Sequence, residues 1–459
     1  MGPGRDMRRV LLGAVCAVGL AGGGTPVRGE SPVSLAEAVE KVLGRSPGLA
    51  SASAQARERR WAGREAKRLR WPSVRLQSAV TRGDGPVYVF GSLLQQKSFG
   101  AENFALDFLN NPPDRTNVRS AVEVGLPVFA GHELSDGERL AGLGMAQAES
   151  RLASAVQRTR FETVDLGLKI LALREKIRRL DERLADVVED IESARRLKEK
   201  GLVLGSDYYA AEAIQSGLSA WRVRWEKELR AMEKSLNVLA GGETWLAGAL
   251  NEEFVELLPD GGWEETALKN REELRQAELG REMAEVSLRR AGRSILPRVE
   301  AFASVESNTR NFENNPTDRM VGLRATMALG DPAYSARRRR AAAHAEAAAA
   351  QRNETEERVS LEALQQWESL QGAVESLPLL KGLRERARKS LEMFRPLYRE
   401  GRQSIIEVLR AEEALAMAES SYVDALYQIH SGQARLLLAA GRLDGAAVAA
   451  LDRRLEARP

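Results

Sequence analysis

A long proline-free segment limits what this chain can fold into. Residues 133–200 contain no proline, and Phe161, Val164, Leu168 and Leu171 recur at spacings of 3, 4 and 3. This spacing predicts one long helix with a coiled-coil-like apolar seam. At about 1.5 Å per residue, such a helix would extend for roughly 100 Å, more than a compact domain usually accommodates. The aromatic content of 5% and the charged content of 29% also fit long exposed helices better than one large core.

The chain also carries an internal duplication. Residues 110–115 and 314–319 share the pattern Asn-Asn-Pro-x-Asp-Arg. Each copy lies between two runs in which apolar and polar residues alternate, the pattern of a strand with one apolar face. Residues 401–441 match 201–241 in register. The sequence therefore predicts two structural repeats, each with a helix, two strands joined by a loop, a long helix and a further helix.

The expected boundaries of these repeats follow from the breaks in the pattern. The first repeat, 30–250, has a helix over 34–70, strands near 73–90 and 118–129, a long helix over 133–200 and a helix over 206–240. The second, 262–445, has a helix over 264–294, strands near 298–308 and 319–330, and helices over 334–400 and 404–440. Residues 446–459 are expected to form a C-terminal tail. In each repeat the two shorter helices together match the long helix in length, so we expect them to stack end to end beside it in an antiparallel helical cylinder.

The N-terminus predicts export. Arg5, Arg8 and Arg9 precede an apolar run over 10–20, which is typical of a secretory signal peptide, here expected over 1–29. The only cysteine, Cys16, lies inside that run, and lipidation is disfavoured because a bulky valine precedes it. Without the leader, acidic and basic residues are equal in number. A neutral exported chain gives no support to nucleic-acid binding.

Four strands per chain predict a shared membrane structure. Strands of roughly 9 to 11 residues suit an outer-membrane β-barrel, but four of them cannot close one, and a sheet edge is not tolerated in lipid. Two, three or four copies of the chain would supply the strands of a closed barrel. The predicted fold class is therefore mainly α with a β-barrel portion: long antiparallel helical hairpins form a helical cylinder, and each internally duplicated chain adds four transmembrane strands.

Two short motifs complete a family resemblance. Leu-Pro-Val-Phe-Ala-Gly occupies 126–131, after the second strand, and Gly-Leu-Val-Leu-Gly-Ser-Asp occupies 201–207. With the leader and the duplicated element order, they resemble the TolC-like outer-membrane efflux protein family over about residues 34–445. The resemblance implies a homotrimer with a 12-stranded barrel in the outer membrane and a periplasmic tunnel closed at its inner tip. It also implies a periplasmic adaptor (membrane fusion) protein, an inner-membrane pump of RND or ABC type, and contact with outer-membrane lipid.

The hairpin turns provide the candidate contact residues. A turn between helices needs glycine for backbone reasons, and in the family these tips also meet the adaptor. The candidates are Gly201, Leu204, Ser206, Asp207, Gly401 and Ser404.

A second candidate site lies just inside the second tip. In the family, acidic side chains here can form a ring at the constriction. Glu407 occupies the first such position, whereas Arg410 stands at the second. The two side chains would either pair within or between chains and close the tip by charge-assisted contacts, or form an ordinary solvated pair on one helix face.

No pattern in the chain predicts catalysis. His132, His344 and His430 lack neighbouring metal ligands, and no nucleophile-base motif is present. We expect no enzymatic activity, no cofactor and no bound metal. The basic run Arg337–Arg340 predicts a solvated helix start near anionic headgroups rather than a nucleic-acid site. Pro378 and Pro396 predict kinks or breaks in the second long helix.

The favoured function is a passive outer-membrane exit duct of a tripartite efflux system. One alternative keeps this fold and makes the chain the outer-membrane component of type I protein secretion. Another, of a different class, is an exported coiled-coil structural or adhesive protein that forms no pore. Sequence motifs do not distinguish drug, metal or polypeptide cargo.

Overall fold

A computed structural model describes residues 32–252, 262–312 and 315–455 of the chain. The predicted leader, 1–29, lies outside these ranges. The described part is mainly helical and contains a four-stranded sheet. None of its helices is both long and apolar enough to cross a membrane.

The elements alternate between long helices and paired strands. The first half contains α1 (Leu35–Arg45), α2 (Pro47–Arg68), β1 (Ser73–Gly83), α3 (Pro86–Gln95), a 3-10 turn (Ala101–Phe104), α4 (Leu106–Asn110), β2 (Arg115–Ala130), α5 (Glu133–Glu199) and α6 (Gly205–Ala240). The second half contains α7 (Trp263–Asn270), α8 (Glu272–Arg293), β3 (Arg298–Thr309), β4 (Thr317–Thr326), α9 (Tyr334–Arg399), α10 (Ile405–Ala439) and α11 (Gly445–Arg453).

The sheet joins the two halves of the chain. Its order is β1-β2-β3-β4, and every neighbouring pair is antiparallel. The central pair, β2 and β3, aligns Val118 with Thr309, and its register shifts between Pro127 and Phe129. β1 and β4 form the two edges, where side chains such as Leu76 and Val321 are exposed. One chain therefore leaves both edges of the sheet without a strand partner within the described residues.

The two long helices organise the helical part. α5 packs against α2 and α8 over one part of its length and against α6 and α10 over another, while α9 contacts α7, α8 and α10. The shorter helices thus lie in succession beside the long ones, as their lengths predict. Apolar side chains of α1, α5, α6, α10 and α11 form one core cluster, and a second cluster lies towards the α5–α6 and α9–α10 turns.

The predicted strand near 73–90 is too long. β1 ends at Gly83, and Pro86 begins α3. Proline has no amide proton to give to a strand pair, but its fixed φ suits the first turn of a helix. Val89 and Leu93 of α3 are buried, so the helix is held by packing as well as by its start signal.

Two further expectations about the second half are wrong. The helix expected over 264–294 is interrupted at Arg271, which is extended at φ −71° and ψ 121° and separates α7 from α8. The expected C-terminal tail instead contains α11, because Val448 and Leu451 are buried in the core and Asp452 Oδ1 accepts from the Leu35 amide at 2.9 Å. The prolines at 378 and 396 do not break α9, since a long helix packed along its length tolerates the loss of single backbone hydrogen bonds. The kinks that these prolines also predict stay a prediction.

Candidate functional site at the hairpin turns

The turns that follow the long helices have the same backbone geometry. Gly201 and Gly401 have φ of +71° and +70°, the left-handed region that favours glycine. The Leu202 amide donates to the Leu197 carbonyl at 2.9 Å, and the Arg402 amide makes the equivalent bond in the second turn at 2.8 Å. This is a Schellman motif, which provides hydrogen-bond donors to carbonyls at the end of the helix that otherwise have no partner. A Cβ at either glycine would meet nothing within 4 Å.

The structure brings the two turns together through one direct contact. Ser404 Oγ donates to Asp207 Oδ2 at 2.9 Å. Ser404 also caps α10 by accepting from the Ile406 amide, while Ser206 Oγ lies 3.3 Å from Asp207 Oδ1. Leu204 is 70% exposed, and its neighbour Leu202 is 71% exposed. The end of the hairpin pair therefore presents two apolar side chains beside a polar contact that links both turns.

Glu407 and Arg410 lie on the outer surface of the first turns of α10. Arg410 Nη1 is 3.4 Å from Glu407 Oε1, and the side chains are 66% and 40% exposed. In one chain they form the solvated i,i+3 pair, which contributes at most a few tenths of a kcal/mol. Their second interpretation depends on a neighbouring copy and stays a prediction.

The sequence analysis missed a buried ionic cluster a few helical turns inward of the tips. Its members are Arg183, Asp186 and Asp190 of α5, Arg395 of α9, and Glu412 and Glu419 of α10. Arg395 is in close contact with Glu412 and lies 3.1 Å from Asp186 and 3.6 Å from Asp190. Arg183 lies 3.2 Å from Asp186, 3.8 Å from Glu412 and 4.0 Å from Glu419. The cluster thus connects α5 of the first hairpin with α9 and α10 of the second.

Burial dominates the electrostatics of this cluster. Glu412 is fully buried, and this desolvation raises its pKa to about 7 in spite of the opposing effect of Arg395 and Arg183. Burial also raises the pKa of Asp190. Four carboxylates face two guanidinium groups here, and Arg388 adds only a 3.6 Å contact from the more exposed side. Glu412 and Asp190 therefore bind a proton more readily than isolated carboxylates do.

One sequence signal would have revealed the cluster. Ile405, Val408, Leu415 and Tyr422 of α10 are buried at heptad-like spacing, and Glu412 and Glu419 occupy the same seam. A charged residue at a seam position is rarely buried without a partner. The partners themselves come from α5 and α9, more than 200 residues away in the case of α5.

The three histidines do not converge. His430 is buried, where its Nε2 lies 3.1 Å from the Asn251 carbonyl and burial lowers its pKa. His132 adopts a left-handed conformation before α5. Within the described ranges, no group of three or more His, Cys, Asp or Glu side chains is placed to hold a metal ion.

Comparisons with known proteins agree with this geometry. Residues 263–442 match the family model described as outer membrane efflux protein. The structure matches the outer membrane channel CmeC of Campylobacter jejuni with a TM-score of 0.76 at 11% identity, over 94% of this chain and 95% of that one. The chain resembles the outer membrane efflux proteins, in sequence over 263–442 and in fold over most of its length. A comparison with curated protein sequences gave no match.

Two further channels share this fold. VceC, an outer membrane protein of Vibrio cholerae, matches with a TM-score of 0.74 at 16% identity, over 89% of this chain and 96% of that one. The open state of the MtrE outer membrane channel of Neisseria gonorrhoeae matches with a TM-score of 0.69 at 14% identity, over 90% of each chain. At such identities the structural matches establish the fold alone.

Proposed function

We propose that this efflux protein is the outer-membrane exit duct of a tripartite efflux system. It would passively conduct substrates that an inner-membrane pump and a periplasmic adaptor deliver. The observation that carries the proposal is the combination, in one chain, of two long helical hairpins with paired turns at one end and a sheet with two free edges at the other. A duct built from several copies uses both features.

The free surfaces favour a homo-oligomer. Unpaired strand edges leave backbone donors and acceptors without partners, which lipid does not supply. α9 likewise exposes Leu361, Leu379 and Met393, although it packs against α7, α8 and α10. Pairing β4 of one copy with β1 of the next gives the strand edges partners, and the neighbouring copy then covers these three apolar side chains of α9. Three copies would supply twelve strands, and we propose this homotrimer.

Electrical recording tests the proposal directly. The purified protein should give discrete single-channel currents in planar lipid bilayers and migrate as a heat-sensitive trimer on denaturing gels. A monomeric protein that gives no currents would instead support an exported coiled-coil structural or adhesive role.

The same recordings test Glu407 and Arg410 as a gate. If these residues hold the tips of neighbouring copies together, Glu407→Ala with Arg410→Ala should raise single-channel conductance several-fold, because charge-assisted contacts across the constriction are lost. Glu192→Ala with Arg195→Ala is the matched control, since it removes another exposed i,i+3 pair, at 2.9 Å on α5. Unchanged conductance in the Glu407/Arg410 variant would eliminate the gate interpretation.

We further propose that the exposed tip binds the adaptor. The candidates are Gly201, Leu204, Ser206, Asp207, Gly401 and Ser404, of which Leu204 presents the largest apolar surface. Leu204→Glu should weaken binding of the cognate adaptor by about tenfold or more, as is usual when a charge enters the apolar centre of an interface. The affinity is measured with detergent-solubilised protein. Leu204→Met should retain binding, and equal affinity for all three proteins would refute the assignment.

A further inference from the structure

The helix ends next to the sheet carry an unusual charge. The fourteen residues nearest the sheet in each of α2, α5, α8 and α9 together contain 15 Arg and Lys residues and 8 Asp and Glu residues. In the fourteen residues nearest the tips in α5, α6, α9 and α10, the corresponding numbers are 9 and 11. Since the chain without its leader is neutral, positive charge is concentrated at the sheet end.

Two grooves at this level contain much of that charge. The first groove lies between α2 and α5 and includes Arg60, Arg64, Lys67 and Glu138. The second groove lies between α8 and α9 and includes Arg289, Arg338 and Arg339 beside Leu288 and Ala342. Arg64 stands seven residues before Trp71-Pro72, and Arg289 stands seven residues before Leu296-Pro297, so the grooves occupy related places in the two repeats.

The first groove is partly compensated, because one of its three cations pairs with a carboxylate and a second lies over an aromatic ring. Arg60 Nη2 lies 2.9 Å from Glu149 Oε1, and the guanidinium of Arg64 lies 4.5 Å from the centre of the Trp61 ring. Glu138, a carboxylate inside the groove, pairs with Arg70 at 3.1 Å.

The second groove is not compensated in this way. Among the residues that the structure describes, no carboxylate forms an ion pair with Arg289, Arg338 or Arg339, and all three are exposed. Their neighbours are paired: Arg290 with Glu133 at 2.6 Å, Arg293 with Asp136 at 2.9 Å, and Arg337 with Asp331. The second groove thus presents three guanidinium groups whose charges no acidic side chain neutralises. The planar guanidinium group binds oxyanions such as phosphate through two parallel hydrogen bonds.

The position of the second groove identifies the source of the phosphate. α8 ends five residues before β3 begins, and α9 begins eight residues after β4 ends. The Tyr334 hydroxyl donates to the Gly292 carbonyl at 3.2 Å and fixes the two helices at this junction. Leu329, between β4 and α9, is 91% exposed. An oxyanion in the groove therefore lies within a few helical turns of the sheet and beside apolar surface.

We propose that the second groove binds the phosphate of an anionic phospholipid headgroup, with its acyl chains directed towards the exposed apolar residues of β4 and the segment that follows. The inference rests on the proposed function, because it places the sheet in the membrane and the helix ends at its periplasmic surface. A free phosphate would use the cations but not the apolar surface.

Native mass spectrometry of the detergent-solubilised full chain tests the inference. The protein is mixed with equal amounts of phosphatidylglycerol and phosphatidylcholine, and bound lipids are counted. The variant Arg289→Gln, Arg338→Gln, Arg339→Gln should bind phosphatidylglycerol at least about tenfold more weakly than the unmodified protein, since each cation near anionic lipid strengthens the attraction. The matched control is Arg60→Gln, Arg64→Gln, Lys67→Gln, which removes the same charge at the same distance from the sheet. This variant should lose much less affinity for phosphatidylglycerol.

Three results would overturn the inference: equal binding of the two lipids by the unmodified protein, equal losses in both variants, or complete displacement of phosphatidylglycerol by inorganic phosphate at matched concentration. Single-channel currents from the same preparations separate this inference from the proposed function. Normal currents without a preference for phosphatidylglycerol refute only the lipid site. Absence of currents from the unmodified protein refutes the duct itself, and with it the membrane placement on which the lipid site rests.

Discussion

Arg395→Ala should lower the free energy of unfolding by about 3 to 5 kcal/mol at pH 8, because it leaves a buried carboxylate without its closest cation. Glu412 is fully buried and in close contact with Arg395. The remaining guanidinium, Arg183, is 3.8 Å from Glu412 and is shared with Asp186 and Glu419. The measurement is urea-induced unfolding followed by circular dichroism.

The controls separate charge from packing. Arg388→Ala removes a more exposed arginine whose contact with Glu419 is 3.6 Å, and it should cost less than about 1 kcal/mol. Glu412→Gln in the Arg395→Ala background should recover part of the lost stability, since the unpaired charge is gone. If the double variant is no more stable than Arg395→Ala, the loss comes from packing and the electrostatic explanation fails.

The same cluster predicts a pH dependence whose sign follows from linkage. Glu412 has a folded pKa of about 7, above its ordinary value of 4.5, so the folded state binds more protons between these values. Its contribution to stability is therefore complete below about pH 4.5 and decreases as pH rises to about 7, by roughly 2 to 3 kcal/mol. Subtracting the stability curve of Glu412→Gln from that of the unmodified protein isolates this contribution. A difference that is constant between pH 4.5 and pH 7 would contradict the assignment.

Gly441→Ala should also be strongly destabilising, by about 2 to 5 kcal/mol. Gly441 has a φ of +68°, and a Cβ built on it lies 2.7 Å from the carbonyl oxygen of Asn270, the last residue of α7. Backbone at that position cannot rotate away as a side chain can. The hydrogen bond that Arg271 Nη1 donates to the Ala439 carbonyl, at 3.3 Å, lies at the same joint, where the end of α10 meets the end of α7.

Gly401→Ala is the matched control because it imposes the same left-handed backbone without the contact. Its φ is +70°, and a Cβ there meets nothing within 4 Å. It should cost about 1 kcal/mol, the usual penalty for alanine in this conformation. Thermal unfolding of both variants in detergent measures the difference. Equal melting temperatures would show that the joint between α10 and α7 adapts to the extra methyl group.

Local patterns were sufficient for several parts of the fold. The seam through Val164, Leu168 and Leu171 predicts α5, and its buried face is set by a 3.6-residue period that any long helix must obey. The alternation in 118–129 predicts β2 in the same way. Residues 84–90 were predicted as the end of the first strand or the start of the loop, because a short apolar run next to Gly and Pro does not specify a helix. Burial of Val89 and Leu93 selects the helix α3.

The candidate site likewise combines features that local sequence predicts with contacts that it does not. Glycines at 201 and 401 follow from local backbone requirements, and the turns are where the sequence places them. The contact between Ser404 and Asp207 joins residues that are distant in the chain, and the cluster around Glu412 draws its arginines from α5 and α9. Side-chain pairing at such sequence separation leaves no local pattern.

The sequence by itself determined the long helices, the duplicated strand pairs and the glycine turns of this protein, because each depends on periodicity or on backbone conformation within a few residues. Tertiary structure alone decided that residues 445–453 form a helix in the core, that Arg271 divides α7 from α8, and that Glu412 is buried among arginines. Burial and charge pairing depend on which distant helices pack together, and the free energy that fixes them is absent from any short segment.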